Sequence, residues 1–140
     1  MDYATQGDMV NRFGSDEIVV LTDRARLGLI DAGVLAAAIT TASQEIDTYL
    51  SRRYPLPLSS VPGILTGICC DIARYRLVGT SVNETEAIRD RYKDAVRLLE
   101  RISNGTANLG LPIEQEPATS ERIRAVGSAR VFTADTLRDY

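Results

Sequence analysis

The stretch TDRARLGLIDAGV, from Thr22 to Val34, has the outline of a calcium-binding loop. With Asp23 as first ligand, Gly28 falls at the sixth position, where such a loop turns sharply, and Ile30 at the eighth. The third, fifth and twelfth positions are then Ala25, Leu27 and Val34, none of which offers a carboxylate. Without those oxygens the stretch reads as a turn that leads into a helix. Proton-transfer chemistry has no better footing. Histidine is absent from the chain, which removes the side chain best matched to acid–base work near neutral pH. Glu45 and Asp47 lie two residues apart on a helical segment and so point in different directions. No nucleophile elbow, phosphate-binding glycine loop or metal-ligand cluster occurs. The expectation is a protein that is not an enzyme, with no catalytic residue, metal or cofactor.

Cys69 and Cys70 are adjacent, a spacing that suits neither a disulfide between them nor a zinc site. They read as small apolar residues of a protein kept in a reducing cytosol. The first residues, MDYATQGDMV, lack the basic-then-apolar pattern of a secretion signal. No stretch nears the ~18 apolar residues of a membrane span, so a soluble intracellular product is expected.

Charge is where the sequence becomes specific. The formal net charge is −3, and Lys93 is the only lysine among sixteen basic residues. A negative chain is poorly suited to gripping phosphates, whereas arginine makes the forked, directional pairs that interfaces use. In CDIARYRL, Asp71 has Arg74 and Tyr75 three and four residues on, with Arg76 beside them. An intrahelical Asp71–Arg74 pair is the simplest expectation, and a contact to Arg52, Arg53 or another subunit the alternative. Asp94 and Arg97 have the same spacing.

These groups need elements to hold them. At 44% apolar and 6% aromatic, 140 residues support one core of helix on helix. Thr5 caps a short helix to about Arg12, with Met9 and Phe13 on one face and Gly14 at its end. Ser15 starts a second short turn, and Ile18 to Leu21 follow as a run expected to be buried. Three longer helices come next. The first runs from Asp31 to about Arg52, with Leu35, Ile39, Ala42, Ile46 and Tyr49 with Leu50 at three- and four-residue steps. The second begins near Pro62 and ends at Val78, with Ile64, Leu65, Ile68, Ile72 and Tyr75 along it. The third, capped by Asn83 and closed by Gly105, has the cleanest stripe in the chain: Ile88, Tyr92, Ala95, Leu99 and Ile102.

Past that point the composition turns to Asn, Gly, Thr, Pro and Glu, too polar to fold alone. The fold expected is all-α, a small helical bundle over residues 1–106. An extended C-terminal tail, 107–140, follows it, ordered by assembly, with Val131 and Phe132 as a short strand or an anchor.

Between the first two long helices lies LSRRYPLPLSSVPGI. Two prolines at alternate positions hold Tyr54-Pro55-Leu56-Pro57 extended. Such a segment either offers Tyr54, Leu56 and Leu58 to a partner or packs rigidly on its own core.

The ordered series YATQGDMVNRFG, EIVVLTD, EIDTYLSRRYPLPL, VPGILTGICCDIARYRL, RYKDAVRLLERISNG and ARVFTADTLRDY resembles the Mu-like phage head–tail connector family over nearly the whole chain. The resemblance implies a virion protein, also called an adaptor or head-completion protein, made in the host cytoplasm and located at the head–tail junction. It further implies a homo-oligomeric ring beneath the portal protein, tail-side completion proteins as neighbours, and DNA passing through without sequence-specific binding. Interface candidates are Arg52, Arg53, Tyr54, Leu56, Leu58, Asp71, Arg74, Arg76, Val131 and Phe132. The competing reading is a small helical nucleic-acid-binding or regulatory protein with Arg52, Arg53, Arg74 and Arg76 as its basic patch.

Overall fold

A computed structural model of the chain describes residues 1–79 and 84–113. Within them the protein is all-α. Five helices follow in order: α1 (Gln6–Phe13), α2 (Ser15–Thr22), α3 (Ala32–Leu50), α4 (Gly63–Val78) and α5 (Glu86–Asn104).

Local chemistry sets most of the boundaries. Thr5 and Asp8 form a reciprocal capping box at the start of α1, so two otherwise orphaned N–H groups are paired. Asp31 accepts from the N–H groups of Gly33 and Val34 and starts α3. Pro62 is the cap residue of α4 and precedes its first helical position. Thr85 caps α5 through the Ile88 N–H. The expected cap, Asn83, lies outside the described residues, and the helix begins two residues later than the sequence suggested. Gly105 ends α5 in a left-handed conformation, φ 86°. A Cβ there would sit 2.9 Å from a guanidinium nitrogen of Arg53, which a flexible side chain can yield, so it is the left-handed backbone that demands glycine.

Helix α4 is the hub. It packs against each of the other four helices, and α1 and α2 lean on α3 and α4 without approaching α5. The stripes predicted from periodicity meet there: Leu35, Ile46, Leu65, Ile72 and Leu99 are fully buried, as are Met9 and Ile18 from the short helices. Cys69 and Cys70 are buried among them, in keeping with small apolar fillers. Burial raises both thiols, Cys70 to about 12, so neither is a ready nucleophile.

Three expectations about burial fail. In the Ile18–Leu21 run only Ile18 is buried, and Val20 is 67% exposed. An eight-residue helix lying on a bundle can bury only one face, whatever its composition. Ile64 is exposed for the same reason: it lies on the outer face of the first turn of α4, whose inner face buries Leu65. The fold also does not stop at residue 106. Ala107, Leu109 and Leu111 pack on the core.

Candidate assembly interface

The charged residues of CDIARYRL all find partners, but not the expected ones. Asp71 accepts from Arg12 of α1 at 2.9 and 3.2 Å instead of pairing with Arg74 on its own helix. Arg74 reaches Glu17 of α2 at 2.7 Å and lies over the Phe13 ring, 4.5 Å from its centroid. Arg76 reaches Glu45 of α3 at 2.7 Å. The three side chains of α4 thus staple α1, α2 and α3 in turn. An i,i+3 pair on one helix gains only ~0.2–0.5 kcal/mol, and a facing helix offers the same Coulomb attraction with a tertiary contact besides. Asp94 and Arg97 do pair within their helix, loosely at 3.5 Å and with both side chains 73% exposed.

Glu45, set aside as a catalytic candidate, belongs to this framework. Its second oxygen accepts from the Tyr92 hydroxyl at 2.9 Å, and Tyr92 stacks on Tyr75 with ring centroids 4.1 Å apart. Burial and the Glu45 hydrogen bond push the Tyr92 hydroxyl up to about 12. Asp47 likewise accepts from the Tyr3 hydroxyl, raised mainly by burial and then by that bond, which straps the N-terminal segment across α3. Both carboxylates serve structure.

The proline segment packs largely on its own core. Tyr54 is 1% exposed and Leu58 is also buried. The Tyr54 hydroxyl accepts the Leu109 N–H at 3.1 Å and contacts the Asn108 side-chain oxygen at 3.2 Å. Pro55, Pro57 and Leu58 meet Leu111 and Pro112 across a small cleft. The segment bends at residues 54, 56–57 and 59–60, so it is not extended throughout as the proline spacing suggested. Arg53 donates to the Ile102 carbonyl and Arg52 to Asn104, both at the C-terminal end of α5 where orphan carbonyls collect. Of the apolar residues proposed for a partner, only Leu56 keeps appreciable exposure among the described residues. Val131 and Phe132 lie outside the described residues.

Two surfaces stand out instead. The first is the loop from Asp23 to Ile30. The Asp23 carboxylate accepts the N–H groups of Leu27 and Gly28 at 2.9 and 2.6 Å. Thr22 bonds back to the Ile18 carbonyl and accepts the Asp31 N–H, closing the loop at its base. Arg26 is held at φ 58° and Gly28 at 73°. Asp23 thus folds the loop on itself, and the result is a shaped projection carrying Leu27 and Leu29 at 73% and 68% exposure. The second surface is a groove of about 390 Å³ between α4 and α5. It is lined by the apolar Ile64, Ile68, Ala95 and Leu98 and by the charged Arg12, Asp71, Arg91 and Asp94. Sequence reasoning missed both. The signal was present in LGLI, two leucines alternating with a glycine outside any helical stripe.

The profile of the family described as Bacteriophage Mu, Gp36 matches residues 3–127. A Mu-like prophage FluMu protein gp36 of Haemophilus influenzae is 34% identical over 127 residues, which cover 91% of this chain and 89% of the relative. Gene product J of Escherichia phage Mu is 36% identical over 121 residues, covering 86% and 83%. Matches of this extent run through all five helices and the loops between them, and the chain belongs to the bacteriophage Mu Gp36 family of phage proteins.

Proposed function

We propose that this phage protein is a structural subunit of the head–tail connector, forming a ring that joins the portal to the tail and lets DNA pass. Membership of the Mu Gp36 family supports the setting, and no helix among the described residues is long and apolar enough to cross a membrane. One observation favours the connector over the nucleic-acid-binding reading. Two of the four arginines proposed as a basic patch, Arg74 and Arg76, are neutralised by carboxylates inside the subunit, while Arg52 and Arg53 turn to neutral oxygens at the end of α5. Each phosphate gripped by a cation adds to a counterion-release term that would hold a duplex fast. A subunit that neutralises Arg74 and Arg76 internally presents a weaker basic patch, which suits a passage through which DNA slides.

Titration of a fluorescent DNA duplex at low salt separates the two readings. The connector reading expects no saturable binding by the purified protein, and co-sedimentation with purified portal. Tight binding that weakens steeply with added salt, and is lost in Arg52→Ala/Arg53→Ala, supports the basic-patch reading instead.

A further inference from the structure

The projecting loop and the α4–α5 groove fit one another in character and lie at different places on the subunit. Arg24 sits against Gly33, Val34, Arg76 and Leu77, which puts the loop beside the start of α3 and the end of α4. The groove is formed by the first half of α4, from Gly63 to Asp71, and by Arg91 to Leu98 of α5. With its base pinned by Thr22 and Asp23, the loop stays at its own end of the bundle, away from the groove of the same chain.

Their chemistry is complementary. The loop offers two exposed leucines flanked by Arg24 and Arg26, neither of which makes an ion pair among the described residues. The groove offers an apolar lining with charges of both signs around it: Arg12, which is paired to Asp71, then Arg91, and Asp94, whose carboxylate is the exposed acid, 73% exposed and held only by a 3.5 Å contact to Arg97. An apolar centre with a charged rim is the anatomy of a protein–protein contact, and solvent-facing large apolar residues gathered in one place mark such sites. A two-fold contact of loop on loop would set Arg24 and Arg26 against their own copies, which like-charge repulsion disfavours.

We propose that the Leu27–Leu29 loop of one copy seats in the α4–α5 groove of a second copy, with Arg24 or Arg26 meeting Asp94 at the rim. The contact is heterologous, so every subunit keeps a free loop on one side and a free groove on the other. Repetition closes a ring when the rotation between neighbours divides a full turn. The inference rests on the connector reading and specifies which surfaces build its ring.

Site-directed cross-linking of the full chain tests it. Leu27→Cys and Ile64→Cys are placed together in one chain and oxidised mildly under conditions in which the parent assembles. The native Cys69 and Cys70, at most 1% exposed, give little background. The expected result is a ladder of covalent multimers from the double variant and none from either single variant. A dimer from Leu27→Cys alone, or no ladder from the double variant while the parent still assembles, overturns this contact and leaves the ring reading intact. A parent that stays monomeric with portal present overturns the ring reading and this contact with it. A second arm uses charge: Arg26→Glu and Asp94→Arg each weaken assembly, and combining them restores it. Failure of the combination to restore assembly removes the rim pairing.

Discussion

Ile72→Ala is expected to lower the free energy of unfolding by ~2–5 kcal/mol, the cost of lost burial plus the cavity left behind. Ile72 is fully buried on α4, which like α3 packs against all the other helices, so collapse around the void would have to move several packed elements at once. Leu99→Ala on α5 should fall in the same range, for the same reason. Ile64→Ala is the internal control. It lies on α4 as well but is 49% exposed, so it should change stability by no more than ~0.5 kcal/mol in the isolated subunit. Urea unfolding of the three variants checks this. Equal effects at Ile64 and Ile72 would contradict the packing described. A domain of ordinary stability holds only ~5–15 kcal/mol, so either core variant should be visible as a large shift in midpoint.

The second large effect is expected at Tyr54. Removing the ring in Tyr54→Ala should cost ~3–5 kcal/mol, as for other buried aromatics. Tyr54→Phe keeps the ring and loses only the hydroxyl, with an expected cost of ~0.5–1.5 kcal/mol. The two differ in kind as well as size. The hydroxyl holds the Leu109 N–H and meets Asn108, so Phe should speed amide exchange at Leu109 while leaving α3 and α4 unchanged. Alanine should loosen the whole segment from Arg53 to Leu58. If Phe proved as damaging as Ala, the hydroxyl would be doing more than tying down the start of the tail. If Leu109 exchanged freely in the parent, it would be doing less.

How much of this was legible in the sequence depends on the range of the interaction. The caps at Thr5, Asp31 and Gly105 and the stripes of α3, α4 and α5 are local, and residue type with spacing was enough to place them. Partners of charged groups are not local. Asp71 has an arginine three residues away in the sequence, yet it pairs with Arg12, fifty-nine residues away, because α1 crosses α4 at Gly67. A glycine there leaves the Arg12 guanidinium room to lie against the helix, but the sequence does not say which helix will come. For the proline segment the sequence left two readings open, and packing on its own core is the one found: Tyr54 and Leu58 are covered by residues 107–111, whose own composition looked like free tail. The loop at Leu27 was misjudged because its glycine and aspartate drew attention to metal chemistry. Asp23 uses both oxygens on backbone N–H groups, and what the loop presents is leucine.

These errors share a direction. Residues thought to face partners, Tyr54, Leu58, Arg74 and Arg76, hold the subunit together. Residues thought to lie inside or in a plain turn, Val20, Leu27, Leu29 and Ile64, are exposed. Among the described residues the exposed large apolar side chains include Leu27 and Leu29 in the α2–α3 loop, Ile64 at the α4–α5 groove and Val20 on α2, and only Leu56 remains of the apolar candidates in the proline segment.

Cryo-electron microscopy of intact particles, with the subunit fitted into the density at the head–tail junction, tests the connector reading most directly. The account predicts a closed ring of this five-helix subunit coaxial with the portal, successive copies meeting through unlike surfaces and the DNA path running through the centre. A junction whose density cannot accommodate the subunit, with the protein absent from purified virions, would contradict it.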